Sequence, residues 1–328
     1  MKISWKFFAG FSLGLAAIIV IYYQLVLLQL GAKTETSRWA AEIIEKKITA
    51  SESIHQPKLL ILGGSASHFG VNAMELERLL GMPVVNGASF AGLGPGYILK
   101  TGERMLKPGD TVLLIMEYEM YLYDARGKPY VNENLSDFVF ARDPEYFRNL
   151  SWTEKFQMIS TVPLNRIKRG LRSRNGEEER WQDTGVYTAR ILNARGDQQG
   201  HFKSARPANR ASATQLNGIV TSAPLEKNVS HPHLEEFCKW ARAKNIRVIA
   251  TYPNLARHPN YTEAKLSELS TTVKSIFDGL HVPVVGTAWE ATYSPDLFFD
   301  TMYHLTLEGS MIRSADLAKQ LQPYVHRN

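Results

Sequence analysis

Hydrophobic and polar positions divide the chain into stretches of different character. Phe7 to Leu30 runs for 24 consecutive residues without a charge, longer than the ~20 residues that carry a helix across a hydrocarbon core, and predicts a membrane span. A cleaved secretory signal is the competing reading, but its apolar core covers roughly 7–15 residues and ends at a small-residue cleavage site. The LQLGAK exit fits that pattern poorly. Residues 31–57 are polar, with a weak helical pattern at Trp39, Ile43, Ile44 and Ile48. They predict a juxtamembrane helix or linker that spaces the following body from the bilayer and ends at Pro57.

From Lys58 the pattern alternates between strand and helix. KLLILGG, MPVVNGAS, DTVLLIME, IRVIATYP and VPVVG read as strands; VNAMELERLLG, YILKTGERML, HLEEFCKWARAKN, TEAKLSELSTTVKSIFDGL and LEGSMIRSADLAKQL read as helices. The strand segments are continuous Val/Ile/Leu runs, the mark of strands buried on both faces in a parallel sheet covered by helices. The fold class is therefore α/β, an open three-layer sandwich with a parallel sheet, occupying 58–328. Ligands of such folds sit at the carboxyl ends of the strands.

A segment at about 117–233 interrupts the alternation and is too long for a plain loop. Its first part is aromatic (Tyr118, Tyr121, Tyr123, Tyr130, Phe138, Phe140, Tyr146, Phe147) and predicts an ordered cap or subdomain. Its second part is basic: Asn165 to Arg210 holds 11 Lys+Arg against 5 Asp+Glu, a surplus equal to the formal net charge of +6 of all 328 residues. Such a stretch attracts polyanions or lipid head groups, or is simply a solvated loop. No nucleic-acid module signature accompanies it.

Charge flanking the span does not choose an orientation: Lys2 and Lys6 precede it, while Lys33, Arg38, Lys46 and Lys47 follow. The short N-terminal flank favours an inside amino terminus, which puts the body on the extracytoplasmic side of the inner (cytoplasmic) membrane, the periplasm of a Gram-negative-type cell. One cysteine excludes an internal disulfide and a Cys-rich zinc module. His231 and His233 flank Pro232 without ligand spacing, so no metal and no cofactor is expected.

Two short motifs carry candidate chemistry. In Leu62-Gly63-Gly64-Ser65-Ala66-Ser67-His68-Phe69-Gly70 a strand ends in two glycines and a serine and turns into a helix. That exposes the Ser65 hydroxyl at the sheet edge beside helix N-terminal amides; a Gly-Ser helix cap gives the same pattern. Ser67 is the alternative nucleophile. In Phe299-Asp300-Thr301-Met302-Tyr303-His304-Leu305-Thr306, Asp300 and His304 are four apart. One helical turn there places them on one face, with the carboxylate fixing the imidazole tautomer. Thr306 is placed to cap the last helix.

Together the motifs resemble the SGNH (GDSL-like) hydrolase superfamily, in which a serine follows the first strand and an Asp…His pair precedes the final helix. With the N-terminal apolar helix, the LGGS block, NGASFAG and the last block, the chain is similar to the membrane-anchored envelope branch of that superfamily, such as the teichoic-acid D-alanine-transfer protein and the alginate O-acetylation proteins. The resemblance covers roughly 58–116 and 234–320. It implies an SGNH/flavodoxin-like fold and a serine esterase or O-acyltransferase acting on an envelope or exported polysaccharide, with a possible membrane-bound O-acyltransferase as partner. Ser65 is then the nucleophile, His304 the base, Asp300 its orienting acid and Gly92 an oxyanion-hole amide. Three positions depart from the family pattern: Gly64 replaces the Asp of the GDS triplet, the last block reads Asp-x-x-x-His, and Met116-Glu117-Tyr118-Glu119 replaces the Gly-x-Asn block. Glu117, at a strand end, is a candidate for holding substrate or for anchoring a loop, and Asn254, after the IRVIA strand, a candidate substrate contact. A non-catalytic scaffold or polymer-binding component of an acylation or export complex is the alternative function.

Overall fold

A computed structural model describes residues 5–34, 37–125, 131–175, 185–202 and 230–325. In chain order the elements are α1 (Trp5–Leu27), α2 (Arg38–Glu52), β1 (Leu59–Gly63), α3 (Ser65–Gly70), α4 (Ala73–Leu80), β2 (Val84–Asn86), α5 (Gly94–Met105), β3 (Thr111–Ile115), α6 (Tyr118–Ala125), α7 (Glu133–Arg142), α8 (Pro144–Asn149), α9 (Trp152–Ser160), α10 (Leu164–Arg174), α11 (Pro232–Ala243), β4 (Arg247–Thr251), β5 (Leu255–Ala256), α12 (Glu263–Gly279), β6 (Val284–Val285), β7 (Thr292–Tyr293) and α13 (Leu307–Val325). They form two compact units, Met1–Ala41 with Val131–Gln182, and Glu42–Tyr130 with Asp183–Asn328.

The larger unit is α/β. Its sheet has the order β2-β1-β3-β4-β6, with every pairing parallel. Alternation along the strands sends Leu59, Ile61, Leu113, Ile115 and Ile249 to one face, where they pack with Leu76 and Leu80 of α4 and Leu317 and Leu321 of α13. Leu60, Leu62, Val112 and Leu114 point the other way and are equally buried. Leu62 meets α5 so closely that a Cβ on Gly102 would lie 2.4 Å from its side chain. Helices thus cover both faces, which is why the strands carry unbroken apolar runs. Asn72 caps α4 by accepting from the Glu75 amide at 2.9 Å, and Gly81 ends it in the left-handed conformation. A short second sheet, β5 with β7, has no counterpart in the sequence reading.

The α2 helix lies in the stretch read as a juxtamembrane helix or linker, and part of it packs into the α/β unit. Ile43, Ile44, Ile48 and Lys47 are buried, and the Ser51 hydroxyl donates to the Met105 carbonyl at 2.6 Å. Its apolar stripe is too wide to stand in water, so the helix joins the core of the α/β unit.

The smaller unit contains α1 and α7–α10. α1 is the one described helix long and apolar enough to cross a membrane. Phe138, Phe140 and Phe147 are buried here, and the Gly31 amide donates to the Phe140 carbonyl at 2.6 Å. The aromatic part of the insert is therefore divided, because Tyr118 and Tyr121 of α6 are buried in the larger unit. The side chains of Tyr123 and Tyr130 lie outside the described residues, as do 176–184 and 203–210 of the basic stretch.

Candidate active site

The chain reverses its direction of travel across the sheet between β1 and β3: β2 lies on one side of β1, and β3, β4 and β6 follow on the other. At such a switch point the loops leaving the two strands part and leave a crevice at their carboxyl ends. β1 runs into Ser65 and β3 into Glu117. Two clusters of polar side chains occupy this edge of the unit.

The first cluster is Ser65 with Glu117. Ser65 opens α3 after Gly64 and is half-buried. Its Oγ lies 3.5 Å from Glu117 Oε1, a long contact, and the same oxygen accepts the Ala66 amide at 2.8 Å. A Cβ on Gly64 would sit 2.5 Å and 2.6 Å from the two carboxyl oxygens of Glu117. Glu117 thus fills the space of a side chain at 64, and the absence of the expected Asp at 64 and the acidic residue at 117 are one feature. Burial pushes the Glu117 carboxyl up to about 7, against the amides that stabilise its charged form. By taking the Ala66 amide it also occupies one helix-terminal donor that sequence reasoning left open for an oxyanion.

The second cluster is Asp300 with His304, brought together by a bridged loop instead of the expected helical turn. Phe298 pairs antiparallel with Leu305, the Phe299 amide donates to the His304 carbonyl at 2.8 Å, and the Thr301 hydroxyl accepts from the His304 amide at 3.1 Å. His304 Nδ1 lies 2.7 Å from Asp300 Oδ1, which places the ring proton on Nδ1 and leaves Nε2 as the basic nitrogen. Thr306 caps α13 by accepting the Gly309 amide at 3.1 Å. Burial works to raise Asp300, but the bonds from His304 and Tyr187 prevail and hold it below the usual carboxylate range.

Tyr187 is the member of this cluster that sequence reasoning missed. Its hydroxyl donates to Asp300 Oδ2 and lies 3.4 Å from His304 Nδ1. Burial first, then the Asp300 charge, holds its phenol well above the usual range, so it stays protonated and donates to Asp300. Phe69, one turn after Ser65 on α3, stacks on the His304 ring at 4.5 Å between centroids and 27°. No hydrogen bond joins Ser65 to His304: the nucleophile candidate and the Asp–His pair are linked through Phe69.

Beneath α3 lies a buried relay. Lys47 Nζ is 2.9 Å from His68 Nδ1, 3.2 Å from Asn86 Oδ1 and 2.5 Å from the Ala88 carbonyl, three acceptors for the three hydrogens of an ammonium. His68 Nε2 lies 3.0 Å from Gln198 Oε1, and the Gln198 amide nitrogen reaches the Val186 carbonyl, the residue before Tyr187. Burial, reinforced by Lys47, drives His68 well below the usual imidazole range, so it is neutral, donating from Nε2 and accepting at Nδ1. Burial also brings Lys47 down to about 7, with Asp197 acting in the opposite sense. The sequence held a signal for Lys47, which sits on the same helical face as Ile43, Ile44 and Ile48.

Gly92 lies half-buried in a 3-10 turn, Ala91–Leu93, and the Ser89 amide ties its loop to the Gly63 carbonyl at 3.0 Å. Asn254 is fully buried; its Nδ2 holds the Tyr303 carbonyl at 2.5 Å and its Oδ1 packs against Gly70, so it supports the loop preceding His304. Ser67 is also fully buried and donates to the Ile115 carbonyl at 2.6 Å, which leaves it no path to a substrate. Among the described residues no group of three or more His, Cys, Asp or Glu is placed to hold a metal ion. Neither a protein-family model nor a curated protein matches the chain.

Proposed function

We propose that the chain is a membrane-anchored acyl esterase or O-acyltransferase of SGNH type, held in the cytoplasmic membrane by α1 with its α/β unit on the extracytoplasmic side. The observation that carries the reading is the Asp300–His304 pair: a carboxylate fixes Nδ1–H and leaves Nε2 free to take a proton. The β2-β1-β3-β4-β6 order of the parallel strands and the serine at the end of β1 support it, since they put an acidic, a basic and a nucleophilic residue at one sheet edge. His304 takes the Ser65 proton as Oγ attacks an ester carbonyl. The acyl group passes to Ser65 while the leaving alcohol is protonated by His304, and a sugar hydroxyl or water then releases it. The tetrahedral oxyanion forms against backbone amides at Ser65 and Gly92. Because Ser65 rests on Glu117, the attacking geometry is reached when its side chain turns from Glu117 toward Nε2; catalytic hydrogen bonds are commonly long before substrate binds. The apolar span and the motif resemblance support an envelope or exported polysaccharide as acyl acceptor or donor, with a membrane-bound O-acyltransferase as partner.

The Ser65–Glu117 contact also favours a second reading, a non-catalytic scaffold that binds polymer at the same edge. The full chain in detergent, treated with a fluorophosphonate probe and with p-nitrophenyl acetate, separates them. The catalytic reading expects labelling that Ser65→Ala abolishes, and a rate that Ser65→Ala and His304→Ala each lower about 10⁴-fold. Labelling unchanged in Ser65→Ala rejects Ser65 as nucleophile, and none in the native chain leaves the scaffold.

A further inference from the structure

Outside α1, the three most exposed large apolar side chains among the described residues are Trp152 (81%), Leu164 (75%) and Phe156 (73%). All lie on α9 or at the start of α10. Trp152 and Phe156 are four apart and share one face of α9, while Met158 and Ile159 in its last turn are buried. On α10, Arg166, Ile167 and Gly170 face inward, and Leu164, Lys168 and Leu171 face outward. Lys155 lies 5.3 Å from the Trp152 ring centroid. Two successive helices that present aromatic and leucine side chains among lysines are built for a surface apolar on one side and anionic on the other.

Its position on α1 says which surface. The Tyr22 hydroxyl lies 2.9 Å from the Ile159 carbonyl and 2.8 Å from the Val162 carbonyl, at the end of α9 and in the turn that follows it. Tyr22 stands five residues before the end of α1, about 7 Å inside it. The α9–α10 turn is therefore level with the last part of the apolar helix. Arg166 donates to Gln29 Oε1 and to the Ala32 carbonyl, both at 3.0 Å, and Arg174 to the Leu30 carbonyl at 2.7 Å. Two arginines eight positions apart, about 12 Å along a helix, reach the same short stretch, so α10 crosses the end of α1 instead of running beside it.

We infer that the α9–α10 segment lies at the bilayer interface, seating Trp152, Phe156 and Leu164 in the lipid layer around the end of α1, with Lys155 and Lys168 at the head-group phosphates. The inference rests on α1 crossing the membrane. It makes the attachment a helix plus a lateral foot, which fixes the tilt of this unit in a way that one span does not.

The test uses the full chain in vesicles of phosphatidylethanolamine and phosphatidylglycerol. Single cysteines replace Trp152, Phe156, Leu15 in α1 and Met74 on α4, and each carries a polarity-sensitive fluorophore. Cys238 is buried, so both the native and the Cys238→Ala backgrounds are used. Labels at 152 and 156 are expected to emit at blue-shifted wavelengths and to be quenched most by lipid spin-labelled near the head group. The label at 15 is quenched most by lipid labelled near the chain end, and that at 74 by neither. Labels at 152 and 156 that stay polar and unquenched while 15 is quenched overturn the inference and leave the span standing. An unquenched label at 15 removes the span, and the inference with it. Blue-shifted but unquenched labels at 152 and 156 show that protein covers the face, and also overturn the inference.

Discussion

Glu117 and Tyr187 are the single residues that most alter the site. A carboxyl raised to about 7 keeps its proton in the fold at pH values where the unfolded chain has released it. Its contribution to stability is therefore fully present below the ordinary glutamate value near 4.5 and is lost as pH rises toward 7, with a limiting slope of about 1.4 kcal/mol per pH unit. Glu117→Gln keeps an acceptor for the Ala66 amide and cannot ionise. The Tm of the variant is expected to overtake that of the native chain as pH rises from 4.5 to 7; parallel Tm curves would show that Glu117 is not held neutral. Tyr187 donates a charge-assisted hydrogen bond to Asp300, the kind worth about 1.5–3 kcal/mol. On the proposed reaction, Tyr187→Phe is expected to lower kcat about tenfold with KM unchanged, because its hydroxyl bonds to Asp300, the acid proposed to orient His304. An equal rise in KM would assign the phenol to binding instead.

At the scale of elements, the arrangement depends on α2. A helix in a polar, apparently linking stretch delivers Lys47 under α3, and the relay through His68 and Gln198 ends one residue from Tyr187. Lys47→Met leaves three buried acceptors without their donor, at about 1–3 kcal/mol for a buried group so stranded. The variant is expected to melt several degrees lower. The sign of its pH dependence follows from the lysine: with its folded value lowered from 10.5 to about 7, native stability rises between those limits. The advantage over Lys47→Met should thus grow from pH 7 to pH 10, as read by thermal melts at both; a constant gap would mean that Lys47 titrates normally. The loop 298–305 shows the same dependence on surroundings. Asp300 and His304 meet because Phe298 bridges Leu305, and Asn254 from the end of β4 holds the carbonyl of Tyr303.

For the molecule as a whole, the long insert is not one appendage. Its aromatic beginning contributes α6 to the α/β unit, its next part builds α7–α10 in the unit of α1, and residues 185–202 return to the α/β unit with Tyr187, Asp197 and Gln198. The same excursion therefore supplies a residue at the candidate site and the helices that surround the end of the apolar helix. The membrane foot inferred for α9–α10 belongs to this level, since its chemistry is meaningful only beside α1.

The α/β class, the positions of the five sheet strands, the apolar helix at the N-terminus and the pairing of Asp300 with His304 were legible in the sequence. Burial on both faces writes unbroken Val/Ile/Leu runs into a strand, and a carboxylate four residues from a histidine needs only a short closed loop to meet it. What only the tertiary structure decided concerns contacts between residues far apart in the chain. Glu117 takes the place of a side chain at Gly64 because β1 and β3 are neighbours, and Tyr187 reaches Asp300 across more than a hundred residues. Lys47 lies in the interior because α2 packs on the sheet unit. No local period encodes such meetings: they follow from which buried polar groups find one another once apolar surfaces have closed.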